Sequence, residues 1–343
     1  MTRPKRLLRV SDSEPGIRRE WRDDDFVYLD PDGREIAEPN TLDRIRSLVI
    51  PPAYTDVWIC RQAQGHLQAT GRDARGRKQY RYHPDWQHRQ GERKFGHMLA
   101  FGRALPIIRE QVARDIRLPG MPQAKILATI VRLLEATLIR VGNEGYARAN
   151  QSYGLTTLRD QHVSIQGAKL TFSFRGKHGI RHRVSLRNPS LASIVQRSRN
   201  LPGRELFQYV DHRGKVHRVT SEDVNDYLRG CTGEDFTAKD FRTWAANTLY
   251  LSRMLEGGMA TTASRAKRRI REALAEVAQR LGNTPAVCRK SYVHPRLLDA
   301  SEDGSLFSWR DQFEDSQLKE SRRVNGMNQD EARLLAFLED PGP

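Results

Sequence analysis

Leu127-Ala-Thr-Ile-Val-Arg-Leu-Leu-Glu-Ala-Thr-Leu138 decides how the larger part of this chain is read. Leu127, Ile130, Val131, Leu134 and Leu138 fall at i, i+3, i+4, i+7 and i+11, the spacing that gathers apolar side chains on one stripe of a helix. The pattern predicts a helix with one buried face that runs to Arg140 and stops before Gly142. Downstream the period changes. Leu155–Leu158, His162–Ile165, the strictly alternating Leu170-Thr-Phe-Ser-Phe174 and Ile180–Leu186 read as strands, separated by turns at Gln166-Gly167 and Arg175-Gly-Lys-His-Gly179. Helical spacing resumes after Thr237-Ala-Lys-Asp240, which has the form of a capping box, and again over Ser264–Leu281, where Gly282 is a natural stop. Thr284-Pro285 supplies an N-cap and an N1 proline for another short helix.

Upstream, aromatic and β-branched runs such as Phe26-Val-Tyr-Leu29 are punctuated by turns such as Asp30-Pro-Asp-Gly33. Those four residues resemble the start of a calcium loop, but the later alternate ligands and the closing glutamate are missing, which leaves a hairpin turn. Further strands are expected at Thr55–Arg61, His66–Thr70 and Gln79–Tyr82. The fold class is therefore α+β: a small antiparallel β-sheet domain over residues 1–88, then a larger, mainly α-helical domain over 89–343 with an inserted antiparallel β-meander. The polar stretch near 83–95 reads as a mobile hinge between them.

The length of 343 residues suits two such domains. Apolar residues make up 38% and charged residues 29%, with a mean hydropathy of −0.70 and no window apolar enough to span a membrane. The basic N-terminus is followed by no long apolar stretch, so an intracellular, cytoplasmic and nucleoid-associated protein is expected. Cys60, Cys231 and Cys288 are widely separated, form no metal-ligand spacing, and are expected to be reduced. A net charge of +16 and a pI near 10.1 favour a polyanionic partner, with nucleic acid the first candidate and a merely basic surface the alternative.

The helical domain shows no carboxylate set able to hold two hard cations near its basic motifs, so a metal-dependent nuclease is disfavoured. It offers cations at points where backbone geometry projects them: Arg140 at a helix end, Lys177 in a tight turn, and Arg242 in the first turn of a capped helix, with Asn283 at a helix stop. Two guanidinium forks can neutralise the extra charge of a phosphodiester transition state without metal, and a lysine can protonate a leaving oxygen.

Across nearly its whole length the chain resembles the poxvirus and bacterial type IB DNA topoisomerases, the bacterial branch more closely. The resemblance is carried by Gly71-Arg-Asp-Ala-Arg-Gly-Arg-Lys-Gln-Tyr80, Ile139-Arg-Val-Gly142, Tyr153-Gly-Leu-Thr-Thr-Leu158, Phe174-Arg-Gly-Lys177, Lys239-Asp-Phe-Arg-Thr243, Leu281-Gly-Asn-Thr-Pro285 and Lys290-Ser-Tyr292, in that order. It implies the catalytic fold shared with tyrosine recombinases, two domains forming a clamp around DNA, and a monomer acting on double-stranded DNA with neither ATP nor a divalent metal.

The same resemblance implies roles. Tyr292 would be the nucleophile, Arg140 and Arg242 the clamp on the scissile phosphate, and Lys177 the general acid. Asn283 stands where the poxvirus motif has histidine; an amide still donates a hydrogen bond to a non-bridging oxygen but cannot titrate. Arg77, Lys78, Gln79, Tyr80 and Tyr82 would contact DNA from the sheet domain, and Tyr146 and Lys239 near the cut. The expected reaction is relaxation of positive and negative supercoils through a transient 3′-phosphotyrosyl bond. The alternatives are a tyrosine site-specific recombinase, disfavoured by the sheet domain, and a non-catalytic basic DNA-binding protein.

Overall fold

The computed structural model describes residues 7–259, 261–312 and 326–340. The chain divides into two compact units, Met1–Gly96 and His97–Pro343. In the first, β1 (Ile17–Arg22), β2 (Asp25–Leu29), β3 (Thr55–Ile59), β4 (Leu67–Arg72) and β5 (Lys78–Tyr82) form one antiparallel sheet in the order β2-β1-β3-β4-β5, with β5 at an edge. Sequence reading missed β1 and the helix α1 (Pro39–Ser47), whose short amphipathic pattern covers less than three turns. Ile45 of α1 closes the core over Ile17, Val57, Ile59 and Ala69. Each of the isoleucine and valine side chains contributes about 1.5 to 3 kcal/mol when fully buried.

Asp30-Pro-Asp-Gly33 is a hairpin turn, as expected. The Asp30 carboxylate accepts the backbone N–H groups of Asp32 and Arg34, and Gly33 N donates to Asp30 O at 3.0 Å. The same chemistry recurs at Asp73-Ala-Arg-Gly76 and at Asp211-His-Arg-Gly214. The aspartates are consumed in shaping the turns, which is a local reason for acidic residues in a basic protein.

The stretch expected as a polar hinge is helical, not irregular. Residues from Pro84 onward form α2 (Pro84–Asp115), a continuous helix that runs past the anticipated boundary at residue 88. Proline in its first turn costs no hydrogen bond, and a polar composition is compatible with a helix whose early turns need bury little.

In the second unit α3 (Gln123–Thr137) is the core helix, with Ile126, Ile130 and Leu133 fully buried. It ends three residues before the expected Arg140, because Leu138 turns left-handed (φ 56°) and carries the chain off the helix axis. Short helix α4 (Glu144–Asn150) follows. Leu155–Thr157, expected as a strand, is a single 3-10 turn. The meander is present as β6 (Val163–Gln166), β7 (Lys169–Arg175) and β8 (Arg181–Arg187), with Phe172 and Leu170 buried on its inner face.

Helical structure resumes earlier than expected, with α5 (Pro189–Arg199), a hairpin of β9 (Gln208–Val210) and β10 (Val216–Arg218), and α6 (Ser221–Thr232). Then come α7 (Ala238–Glu256), α8 (Ala263–Leu281), α9 (Pro285–Ser291), α10 (Pro295–Asp303), α11 (Ser305–Gln312) and α12 (Gln329–Glu339). The stripe Ile270, Ala273, Leu274, Val277, Ala278 and Leu281 buries α8 against α7. Arg109 of α2 bonds both Glu135 of α3 and Glu331 of α12 at 2.6 Å, tying the last helix to the body.

Candidate active site

The early end of α3 is what presents Arg140. After the left-handed Leu138 the chain leaves the helix, and its carbonyls are taken up by the loop beyond α4: Leu155 N donates to Arg140 O at 2.9 Å and Thr156 N to Val141 O at 2.7 Å. Gly154 makes that approach possible, since a Cβ there would lie 2.5 Å from Arg140 O. The Tyr153-Gly-Leu-Thr-Thr motif therefore serves as the rail against which Arg140 is held half-buried.

Arg242 lies one turn further into α7 than the sequence pattern suggested, behind the capping box of Thr237 and Asp240. Only 4% of it is exposed. Its Nη1 donates to Leu138 O and its Nη2 to Leu281 O, the latter at 2.7 Å. Both carbonyls belong to helix C-termini, where carbonyls lack intrahelical partners and the helix dipole is negative. One guanidinium thus joins the ends of α3 and α8. Burial, followed by the charge of Arg140, lowers its pKa, while the Tyr292 phenol opposes that shift; an arginine remains charged nonetheless.

Helix α8 stops as expected at Gly282, and Asn283 N closes the cap on Ala278 O at 2.9 Å. Asn283 Oδ1 then accepts from Arg140 Nη2 at 2.7 Å. Thr284 and Pro285 start α9, and Tyr292 caps its far end, with Tyr292 N bonded to Cys288 O at 3.0 Å. The Arg242 guanidinium carbon lies 5.8 Å from the centre of the Tyr292 ring. Burial alone would push the phenol up, but the charge and contact of Arg242, the charge of Arg140 and the Asn283 amide outweigh it, and the pKa falls below the ordinary tyrosine value. The buried Arg242 Nε and Asn283 Nδ2 have no acceptor other than the Tyr292 phenol beside them.

Lys177 sits at the tip of the β7–β8 hairpin, exposed, and no described residue pairs with it. It lines one cleft together with Arg140, Arg242, Tyr153, His182 and Arg280. All five residues singled out in the second unit as a reacting set are therefore brought together, three as cleft walls and two through bonds or ring contact with those walls. The cleft holds cations on several sides of a space beside a phenol, a geometry suited to a phosphate with an oxygen nucleophile next to it.

Sequence reading missed Asn247, which is fully buried on α7. Its Nδ2 donates to Tyr292 O at 2.9 Å and to Thr243 O at 2.7 Å, and its Oδ1 accepts from His294 N at 2.7 Å. It fixes the backbone just after Tyr292, on both sides of Val293. The available signal was an asparagine on the inward stripe of a helix, one turn beyond Arg242 and Thr243. His182 and Arg280 were also missed; alternation along β8 turns His182, Val184 and Leu186 to one face.

The other residues are dispersed. Tyr146 on α4 is 65% exposed and Lys239 stands exposed in the first turn of α7. In the first unit Arg77 is paired with Asp73 at 2.6 Å, Gln79 donates to the same carboxylate at 2.9 Å, and Lys78 pairs with Asp12. The bond from Arg77 holds the Asp73 carboxyl well below the usual range. Tyr80 and Tyr82 stack outward from edge strand β5, centroids 6.1 Å apart. Among the described residues no group of three or more His, Cys, Asp or Glu is arranged to hold a metal ion, and no helix is long and apolar enough to cross a membrane.

Comparisons with known proteins agree in one direction. Residues 83–314 match the family described as eukaryotic DNA topoisomerase I, catalytic core, and residues 25–73 match bacterial DNA topoisomerase IB, N-terminal domain. The DNA topoisomerase 1B of Acanthamoeba polyphaga mimivirus is 35% identical over 85% of this chain and 89% of its own. That of vaccinia virus (strain Copenhagen) is 21% identical over 76% and 81%. A solved XerH site-specific recombinase bound to a palindromic difH substrate aligns with a TM-score of 0.38 at 15% identity, covering 60% of this chain and 51% of its own, a likeness too slight to argue from.

Proposed function

Because the chain belongs to the type IB DNA topoisomerases, we propose that it relaxes positive and negative supercoils with Tyr292 as the nucleophile and Arg140, Lys177, Arg242 and Asn283 as the groups that stabilise and complete the transfer. The observation that carries this reading is a cleft lined by Arg140, Lys177 and the buried Arg242, with Asn283 bonded to Arg140 and the Tyr292 ring against Arg242.

In the proposed reaction the Tyr292 phenol gives up its proton to solvent, its oxygen attacks a phosphodiester in line, a Tyr–O–P bond forms, and the P–O5′ bond breaks. Lys177 delivers its proton to the departing 5′-oxygen. Arg140 and Arg242 take the charge that builds on the non-bridging oxygens, and Asn283 Nδ2 donates a hydrogen bond to one of them. The broken strand keeps a 3′-phosphotyrosyl ester and a free 5′-hydroxyl, rotates, and is resealed by the reverse attack. The ester conserves the energy of the original bond, so no ATP is called for, and the arginines occupy the electrostatic role a divalent metal would otherwise have. Exposed Tyr80 and Tyr82, with Arg77, Lys78 and Gln79 beside them and Tyr146 and Lys239 in the second unit, would add contacts to duplex DNA. We read the enzyme as a monomer in the bacterial cytoplasm.

The test is a duplex whose scissile strand is short beyond the cut, so that the leaving piece diffuses away. A protein–DNA adduct should accumulate on the 3′-phosphate side with wild type and be absent with Tyr292→Phe. An adduct on the 5′ side, or one retained by Tyr292→Phe, would sink the assignment.

A further inference from the structure

The His182 ring occupies a slot built for it. It faces Phe174 across the β7–β8 ladder and stacks on that ring, centroids 5.2 Å apart and planes 18° apart. On one side lies Gly176, next to Lys177, where a Cβ would come 2.6 Å from His182 Cδ2. On another lies Gly282, next to Asn283, where a Cβ would come 2.6 Å from His182 Cε1. The imidazole therefore fills the space between the turn that carries Lys177 and the helix stop that carries Asn283. Tyr153 N bonds Arg175 O at 2.8 Å and Ser152 Oγ bonds Gly176 O at 3.2 Å, which steadies the hairpin from its other flank. Toward Asn283 the ring makes contact by shape, with no hydrogen bond to any described residue. Burial, and then the charges of Arg140 and Arg242, hold its proton affinity below the ordinary histidine value, so it lies beside two guanidiniums as a neutral ring.

We infer that His182 is a positioning residue: a neutral wedge that sets the separation between Lys177 and the Asn283 end of the phosphate site, so that proton donor and charge-stabilising donors close on the same phosphate. The inference rests on Lys177 being the general acid. A displacement of about 1 Å at such a centre costs on the order of 100-fold in rate, while Arg242 on α7 and the phenol at the end of α9 keep their places.

The experiment compares single-turnover cleavage of two duplexes at a mapped site, one with the natural O5′ and one with sulfur in its place. A thiolate departs without being protonated, so a defect in proton delivery disappears on the sulfur substrate. His182→Ala and Lys177→Ala should both be slowed on oxygen, His182→Ala on the order of 100-fold, and both should return close to wild type on sulfur. Arg140→Ala should be slow on both. His182→Phe, which keeps a stacked ring, should lose far less than His182→Ala. Gly176→Ala, whose new Cβ expels the ring, should copy His182→Ala, and the double variant should be no worse than either; this arm stands if His182→Ala folds poorly. Rescue of Lys177→Ala without rescue of His182→Ala overturns the inference alone. Failure of sulfur to rescue Lys177→Ala overturns the general-acid reading and the inference together.

Discussion

Arg140 Nη2 donates to Asn283 Oδ1 at 2.7 Å, joining two residues 143 positions apart and leaving the buried Asn283 Nδ2 to the Tyr292 phenol. The amide thus has two separable tasks: it orients a guanidinium through its oxygen and offers a donor beside the phenol through its nitrogen. Asn283→Ala removes both and should slow cleavage by roughly 10- to 100-fold. Asn283→Asp retains the acceptor for Arg140, loses the donor and adds negative charge beside the incoming phosphate, so it should be slower still. Single-turnover cleavage decides; an Asp variant as fast as wild type would mean that the nitrogen does nothing.

Arg242 serves both folding and chemistry. Its two Nη groups satisfy carbonyls at the ends of α3 and α8, and leaving each buried carbonyl unpaired costs about 1 to 3 kcal/mol. Arg242→Lys keeps a charge but not the fork, so it should lower the urea midpoint and slow cleavage on the order of 100- to 1,000-fold. An unchanged midpoint in Arg242→Lys would contradict the bridging role.

The lowered pKa of Tyr292 has a definite sign. Phenolate increases with pH, so cleavage should rise with pH and level off below the ordinary tyrosine value of about 10. Arg140→Ala, by removing one of the charges responsible, should move that inflection upward. For stability, a lowered phenol contributes only as pH climbs through its folded pKa, fully above the unfolded value, and the contribution is lost as pH falls. Ultraviolet titration of wild type minus Tyr292→Phe isolates this group from Tyr250, which burial pushes up to about 12.

Asn247 should behave as a residue that acts through Tyr292. Asn247→Asp loses the donors to Tyr292 O and Thr243 O, and should slow cleavage while leaving the affinity for uncut DNA unchanged. Filter binding beside single-turnover cleavage reads the two separately; a parallel fall in affinity would contradict a purely local role.

Much of this site was legible because its motifs coincide with punctuation. Gly282, Thr284-Pro285 and the Thr237–Asp240 box mark helix ends, and Asn283, Tyr292 and Arg242 lie at or near those ends. The alternation of Leu170–Phe174 announced the meander in the same way. What failed did so for physical reasons. The apolar stripe of α3 continues through Leu138, yet the helix ends at Thr137, because the left-handed turn is fixed by the bond from Arg242 and by the rail at Gly154, both distant in sequence. Leu155–Thr157 is apolar and β-branched but spends its N–H groups on Arg140, Val141 and Gly154 instead of a ladder. The run 83–95 is polar, and composition alone does not distinguish a solvated helix from a linker. His182 carries no motif; its place is defined by two glycines 106 positions apart that only the folded chain brings to one ring.

The central claim is tested most directly by incubating negatively supercoiled plasmid with the purified protein in EDTA without ATP, wild type and Tyr292→Phe side by side. Relaxed topoisomers with wild type and an untouched supercoiled band with Tyr292→Phe are expected. Relaxation by Tyr292→Phe, or a wild-type reaction that starts only when a divalent metal is restored, would contradict the account.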